Sequence, residues 1–333
     1  RRDIMTLSEL FSNRVVLALI VVIGVPAVLV GYVALVEWLT GFLSYKARDR
    51  VRPWLWIGPG VFLLTVFLIY PTINTIVLSF QNFNSTQFIG LENYKFVFTN
   101  SQPLGALKNN LIWLVFLTGF TVVVGLLLAV IFDRVRYEAA AKALIFIPMA
   151  ISFVAAGVIW KLQYDYQPPA QAQTGTLNAV VVGLGGQPVP WLVDRATNTP
   201  ALIWVGIWVW TGFALVILSA GLKGIPTEIL EAARVDGANE WQILFRVTIP
   251  MMASTIAVVA TTMVIFALKA FDIVYVLTNG NFGTDVIARL MYAEMFNFND
   301  YGRASAIAVV LLATIVPVMV INIRRFREQE AMR

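Results

Sequence analysis

Lys223-Gly-Ile-Pro-Thr-Glu-Ile-Leu-Glu-Ala-Ala-Arg-Val-Asp-Gly-Ala-Asn-Glu-Trp-Gln-Ile-Leu-Phe-Arg-Val-Thr-Ile-Pro250 is a charged stretch set between two strongly apolar ones. Pro226 suits a helix start. Thr227 is predicted to be the N-cap, with Glu228 and Glu231 near the positive end of the helix dipole. The helix is expected to end near Val235, at the turn that Gly237 favours. Asn239 and Gln242 have the spacing of a capping box for a second short helix. On that helix Trp241, Leu244 and Phe245 form an apolar stripe, and Pro250 is read as opening the next apolar run. Small residues, Ala232, Ala233 and Ala238, share the first turn region with Gly237, flanked by Glu231 and Asp236. This is a thin knob suited to a groove on another protein. The competing reading is an amphipathic pair lying on lipid. Lys223, Arg234 and Arg246 are outnumbered by Glu228, Glu231, Asp236 and Glu240, whereas lipid-bound helices are usually basic.

Outward from this loop, the chain is apolar. Of 333 residues, 59% are hydrophobic and 13% charged, against about 25% charged in a soluble domain. Mean hydropathy is +0.78. Burying that much apolar surface calls for a bilayer, where a helix needs about 20 apolar residues to cross. The fold class is therefore an all-α integral membrane protein of about seven transmembrane helices. The spans are expected at 15–40, 54–80, 107–132, 142–162, 202–222, 251–276 and 304–323. Gly24 and Pro26 leave the first open to a kink or to a hairpin of two half-spans. It is long for a cleavable signal peptide, and no A-x-A-like site follows it. The chain has no His and no Cys, which excludes disulfides, thiolate nucleophiles, His bases and Cys or His metal sites.

The net charge of +5 is a matter of sidedness and not of nucleic acid. Lys46, Arg48, Arg50 and Arg52 precede the second span. Arg134, Arg136 and Lys142 follow the third, Lys223, Arg234 and Arg246 lie in the quoted loop, and Arg324, Arg325, Arg327 and Arg333 close the chain. The opposite loops carry Lys95, Arg195 and Arg289, with Lys108, Lys161 and Arg303 at span edges. The positive-inside rule makes loop 223–250 and the C-terminus cytoplasmic. Seven spans then put the N-terminus outside, against its own Arg1, Arg2 and Arg14. Residues 81–106, 163–201 and 277–303 are long, polar and dotted with aromatics, as loops that meet a partner or ligand are.

Glu231-Ala232-Ala233, three residues, Gly237, then Ile249-Pro250 resembles the EAA motif of binding-protein-dependent ABC importer permeases, with Ile-Pro where Leu-Pro is common. Three further stretches resemble the carbohydrate-uptake branch. They are Pro59 through Pro71 with Ser79-Phe80 and Phe88 to Tyr94; Gly175 to Asn178 with Trp191-Leu192; and Leu277 to Gly280 with Tyr301-Gly302 and Ala304. Gly280-Asn281-Phe282 departs from the Gly-Gly-Pro of many relatives. The resemblance covers about 54–325. It implies a six-helix core there, an extra N-terminal helix and linker in 1–53, and a cytoplasmic tail in 326–333, in a bacterial inner membrane.

The same resemblance implies a second homologous permease and two ATPase subunits that bind ATP and Mg. It also implies an extracytoplasmic binding protein that delivers an oligosaccharide. The coupling helix would comprise Glu231, Ala232, Ala233, Asp236, Gly237 and Ala238, with Phe245 and Pro250 in its second arm. This chain has no G-x-x-x-x-G-K-[ST] and no cofactor of its own. Ionisable residues inside spans are functional candidates. Lys269 and Asp272 in the sixth span are three apart, placing them on one helix face as a possible pair. Phe266, Phe271 and Tyr275 share that span, and sugar pockets combine aromatic faces with polar groups. By motif position Trp210 and Phe213 join them, with Ser152 and Phe153 from the fourth span. Core packing is the competing role for each aromatic taken singly. The Arg324–Arg333 tail and the extra N-terminal span look like alpha-glucoside permeases, for maltose, sucrose or trehalose. Glycerol phosphate uptake is a close relative that would want more cations than Lys269.

Two other classes compete. A secondary transporter would want internal repeats and broken midplane helices, and leaves loop 223–250 without a role. An intramembrane enzyme would need a Ser-Lys or carboxylate pair, and no G-x-S-x-G occurs.

Overall fold

The computed structural model describes residues 14–133 and 135–331. Arg1, Arg2, Arg134 and Arg333, which enter the charge balance, lie outside the described residues, as does Met332. Among the described residues the only β pairing is an isolated bridge between Gln81 and Phe88. Everything else regular is helical. Five helices are long and apolar enough to cross a membrane, and the number rises to seven if two sharply bent pairs each count as one span. The chain is an all-α, multi-pass membrane protein.

The chain divides into two compact units between Asn74 and Thr75. In the first, α1 (Arg14–Gly41) is one continuous helix with Pro26 inside it, so the hairpin alternative does not occur. The next helix, α2 (Tyr45–Leu78), begins well before the expected residue 54. Lys46, Arg48, Arg50 and Arg52 therefore ride on its first turns instead of in a loop. Glu37 of α1 pairs with Arg48 at 3.0 Å and with Arg52 at 2.5 Å. The apolar windows of α1 and α2 are not buried within the chain, which suits a lipid surround.

In the second unit, α3 (Glu92–Thr99) leads into α4 (Ser101–Phe132), capped by the Asn100 side chain, which accepts from Gln102 N–H at 3.0 Å. Next come α5 (Glu138–Ala150) and α6 (Phe153–Gln163), bent by 100°. The expected single span 142–162 is thus broken. Pro148 sits in a tight 3₁₀ turn, and Ser152 restarts the helix by accepting from Ala155 N–H at 3.1 Å. After α7 (Thr176–Gly183) comes the central helix α8 (Asn198–Lys223). In its apolar window 72% of residues are buried. It packs on α4 through Leu202, Leu215 and Leu218 against Trp113 and Leu117. At Gly212 an added Cβ would lie 2.6 Å from the Ile145 carbonyl oxygen, so only glycine allows the α5 backbone this close.

Both π-helical segments have one cause. Thr65–Ile69 is followed by Tyr70-Pro71, and Leu244–Thr248 by Ile249-Pro250. A proline inside a helix lacks an N–H and crowds the carbonyl four residues back. Widening the preceding turn absorbs that conflict, and the Tyr70 and Ile249 N–H groups bond five residues back, to Thr65 and Leu244.

Pro250 therefore does not open the next span. It lies near the end of α10 (Glu240–Met251), and the span starts after a 71° bend as α11 (Ala253–Leu268). The expected run to residue 276 also stops early. Residues 269–271 break the helix, and α12 (Asp272–Leu277) is separate. The chain closes with α13 (Ile287–Phe296) and α14 (Tyr301–Ala331). Ile287, Leu290 and Ile307 join Val97 and Ala106 in a second apolar cluster. Broken helices, unseen in the sequence, are thus part of the fold.

Candidate functional site

The exposed loop between the central helix and α11 is a folded device. Its first helix, α9 (Thr227–Val235), starts with Thr227 as its first residue, and Pro226 takes the cap position without a side-chain bond. The expected Thr227 cap does not form, because Pro226 has already fixed the entry. The helix ends as the sequence predicts. Gly237 has φ +83°, its N–H donates to Arg234 O at 3.0 Å, and Ala238 N–H donates to Ala233 O at 3.0 Å. This is the paired bonding of a Schellman ending. Asn239 then opens α10 with a complete capping box: Gln242 N–H donates to its side chain at 2.9 Å, and Gln242 Oε1 accepts its N–H at 2.8 Å. Arg234 reaches Glu240 at 3.1 Å and ties the two helices together.

Among the residues this device leaves open are three large apolar ones. Val235 is 87% exposed, Trp241 68% and Phe245 60%. The Trp241 and Phe245 rings lie 6.1 Å apart and nearly parallel. Glu231, Ala232, Asp236 and Gly237 are exposed beside them, while Ala233 and Ala238 are half-buried. Among the described residues nothing approaches an added Cβ at Gly237 within 4 Å, so its positive φ is the reason for glycine that they supply. Ile243 and Thr248 face inward and anchor the second arm. At the root of the loop, Glu138 of α5 pairs with Lys223 at 2.7 Å and also with Lys142.

The second group of candidates converges on a recess lined by Trp113, Phe153, Trp210, Phe266, Lys269 and Asp272, with Phe271 beside them. Trp210 is its floor. Its ring lies 3.7 Å from that of Phe266 and 5.7 Å from that of Phe153. Phe213 meets Trp210 edge-on from behind, and Ser152 is occupied as a helix cap. Tyr275 stacks on Phe271 at 5.3 Å, outside the recess lining. Lys269 and Asp272 do not share a helix face. Lys269 ends α11 and Asp272 begins α12, and among the described residues no ion pair joins them. Both line the recess separately, one exposed cation and one half-buried carboxylate at a helix break.

That break is held by residues the sequence reading passed over. Asn110, buried on α4, donates to the carbonyls of Ala267 and Leu268 at 3.3 and 3.2 Å, and accepts from Ile287 N–H at 2.8 Å. It thereby serves the C-terminus of α11 and the N-terminus of α13 together. Its neighbour Asn109 donates to Gly283 O and Asp285 O, both at 2.7 Å.

Other loops are braced in the same way. Asn93 donates to Ser79 O and Gln81 O, and Asn198 to Phe282 O. Asn178 joins Asp165 O, Val189 and the Trp191 indole. The Asp165 carboxyl is held below its usual range, chiefly by the Thr174 hydroxyl. In polar loops that looked partner-facing, Asn93, Asn178 and Asn198 are thus turned inward.

Comparison with known proteins agrees with this architecture. The sequence pattern of the family described as binding-protein-dependent transport system inner membrane component matches residues 121–325. An osmoprotective compounds uptake permease of Synechocystis sp. is 57% identical over 84% of this chain and all of the relative. An alpha-glucoside transport system permease of Rhizobium meliloti is 46% identical over 84% of each chain. A solved bacterial ABC transporter involved in the import of the acidic polysaccharide alginate is 25% identical. It superposes with a TM-score of 0.70, covering 85% of this chain and 99% of that one.

Proposed function

The chain belongs to the family of binding-protein-dependent transport system inner membrane components, the permeases of ABC importers, and from that premise we propose how it works and what it carries. As a member it is a transport subunit and not a catalytic enzyme. We assign it to an importer of sugars or oligosaccharides, in which it forms one half of the translocation path and a second permease the other. An alpha-glucoside is the favoured substrate, by similarity to the relative named for alpha-glucosides. An osmoprotective compound is the second reading, favoured by the higher identity to the relative so named.

The observation that carries the proposal is the helix pair α9–α10. Its first helix ends on the Gly237 turn, its second opens on a complete capping box, Arg234–Glu240 ties the two, and Val235, Trp241 and Phe245 lie exposed among the described residues. A rigid apolar knob of this kind is expected to insert into a partner. We assign that partner as a cytoplasmic ATPase subunit, which places the loop and the C-terminus in the cytoplasm. ATP-driven closure of two such subunits would move the knob as a rigid body. Through the α10–α11 bend the motion would rock α11 and, with it, the recess between inward and outward access. Lys269, Asp272, Phe266, Phe271, Tyr275, Trp210 and Phe153 would then line the substrate route, with residues 54–325 as the working core and 1–53 as an accessory helix.

The chain has no cysteine, which makes the test direct. Val235→Cys supplies a single thiol at the tip of the knob. In the assembled complex a short bifunctional reagent should link it to the ATPase subunit, with a yield that changes when ATP is added. A thiol that stays unlinked and reacts freely with a water-soluble maleimide in the complex would refute the docking.

A further inference from the structure

Four aromatic rings lead away from the recess on its loop side. Phe271 lines the recess itself. Its ring stacks on Tyr275 at 5.3 Å and meets Tyr292 at 5.4 Å. Tyr275 and Tyr292 meet edge-on at 5.3 Å, and Tyr292 continues to Phe296 at 4.8 Å. The rings come from α12, with Phe271 at its cap, and from α13, joined by a loop that Asn109 and Asn110 hold in place. The cluster is not a sealed core, because Tyr275 is 39% exposed and Phe296 63%. Nor is it a scatter of single interfacial aromatics, since each ring touches the next and the innermost one opens on Lys269 and Asp272.

We propose that Phe271, Tyr275, Tyr292 and Phe296 form an outer carbohydrate subsite, a stacking track on which one pyranose ring rests while the next occupies the recess. This deepens the sugar-importer reading and rests on it. A pyranose ring presents a flat, apolar C–H face that an aromatic ring can cover, and hydroxyls at its edge that bond polar groups. The track offers the faces. The tyrosine hydroxyls, together with Lys269 and Asp272 at its inner end, offer the polar partners. A ladder of contacting rings accepts a ring at successive positions without a deep pocket, as a passing ligand needs. It also sets a length preference: a two-ring sugar can use track and recess together, a one-ring sugar only one of them.

The test uses the whole complex in proteoliposomes with ATP inside, and labelled maltose and methyl α-glucoside as two-ring and one-ring probes. Tyr292→Leu and Phe296→Leu keep apolar bulk and remove the flat face. Each should raise KM for maltose about 5-fold and lower the maltose-to-methyl-glucoside preference by a similar factor. Tyr292→Trp, which restores a face, should recover the maltose KM. Equal KM changes for both probes, or no recovery with Trp, would overturn the subsite and leave the rings as packing against lipid or the second permease. Wild-type vesicles that take up neither probe would overturn the alpha-glucoside reading and the subsite with it. Wild-type uptake with unaltered leucine variants overturns the subsite alone.

Discussion

Asn110 joins three backbone groups, two at the end of α11 next to the recess and one at the start of α13, so removing its amide should loosen the helix break that the recess adjoins. Asn110→Leu keeps nearly the same volume in a site where the residue is 4% exposed. It strips the 2.8 Å partner from Ile287 N–H, and Val286 before it offers no cap. It also removes the bonds at 3.3 and 3.2 Å to the Ala267 and Leu268 carbonyls, the first of which keeps the Ala270 N–H. An orphaned buried N–H costs about 1–3 kcal/mol, and two long neutral bonds add less than about 1 kcal/mol each, so about 2–3 kcal/mol is expected. At about 1–2 °C per kcal/mol for a chain of this size, the chain should melt roughly 3–5 °C lower. The assay is thermal unfolding of the purified complex, followed by static light scattering. Thr121→Val on the same helix is the control: Thr121 is fully buried and its hydroxyl has no hydrogen-bond partner among the described residues, so its loss should leave melting unchanged or slightly higher. An Asn110→Leu complex that melts within about 1 °C of wild type and transports normally would show that the amide does not hold the break.

Three further outcomes follow from the geometry. Gly237→Ala must adopt the +83° φ of a C′ glycine, at about 1 kcal/mol, whereas Gly237→Asn tolerates that φ but adds bulk to the knob. If the ATPase approaches this backbone closely, both variants should hydrolyse ATP with little uptake; full uptake by the Asn variant would limit the glycine to its turn. Lys269→Ala and Asp272→Ala should each change uptake KM or rate while the ATPase subunits still copurify, and normal uptake by both would leave these residues structural. The lowered Asp165 pKa, caused chiefly by the Thr174 hydroxyl, means the loop's stabilisation is present above the ordinary aspartate range and lost as pH falls through the depressed value. Hydrogen exchange of residues 163–178 should therefore accelerate only on strong acidification, and Asp165→Asn should abolish that acid step; acid acceleration that persists in the Asn variant would contradict it.

The parts legible in the sequence were those governed by local rules. Asn239-x-x-Gln242 and Gly237 gave the two caps of loop 223–250, because a cap is satisfied within a few residues. Long apolar runs gave the spans for the same reason. The breaks were not legible. Pro148 and Ser152 sit in a run that remains apolar across a 100° bend, and hydropathy carries no record of direction. The end of α11 at Leu268 escaped because residues 269–271 include no Pro or Gly to announce it, and the partner that stabilises the break, Asn110, is far away in sequence. Lys269 and Asp272 thus shared a predicted helix face only on the assumption of an unbroken span. The recess itself was partly foreseen, since Trp210, Phe266 and Phe153 do meet, whereas Tyr292 and Phe296 were read as loop aromatics. Their contact with Phe271 depends on how the loop folds back, and no spacing rule encodes that.

The central claim is that this chain does no chemistry and moves substrate only when an ATPase drives its coupling loop. Uptake of labelled maltose into proteoliposomes holding the full complex, with binding protein outside, measures it most directly. The account predicts uptake with ATP inside, none with the non-hydrolysable analogue AMP-PNP, and none from an imposed proton or sodium gradient. Uptake by this chain alone on an ion gradient, without ATP, would contradict it.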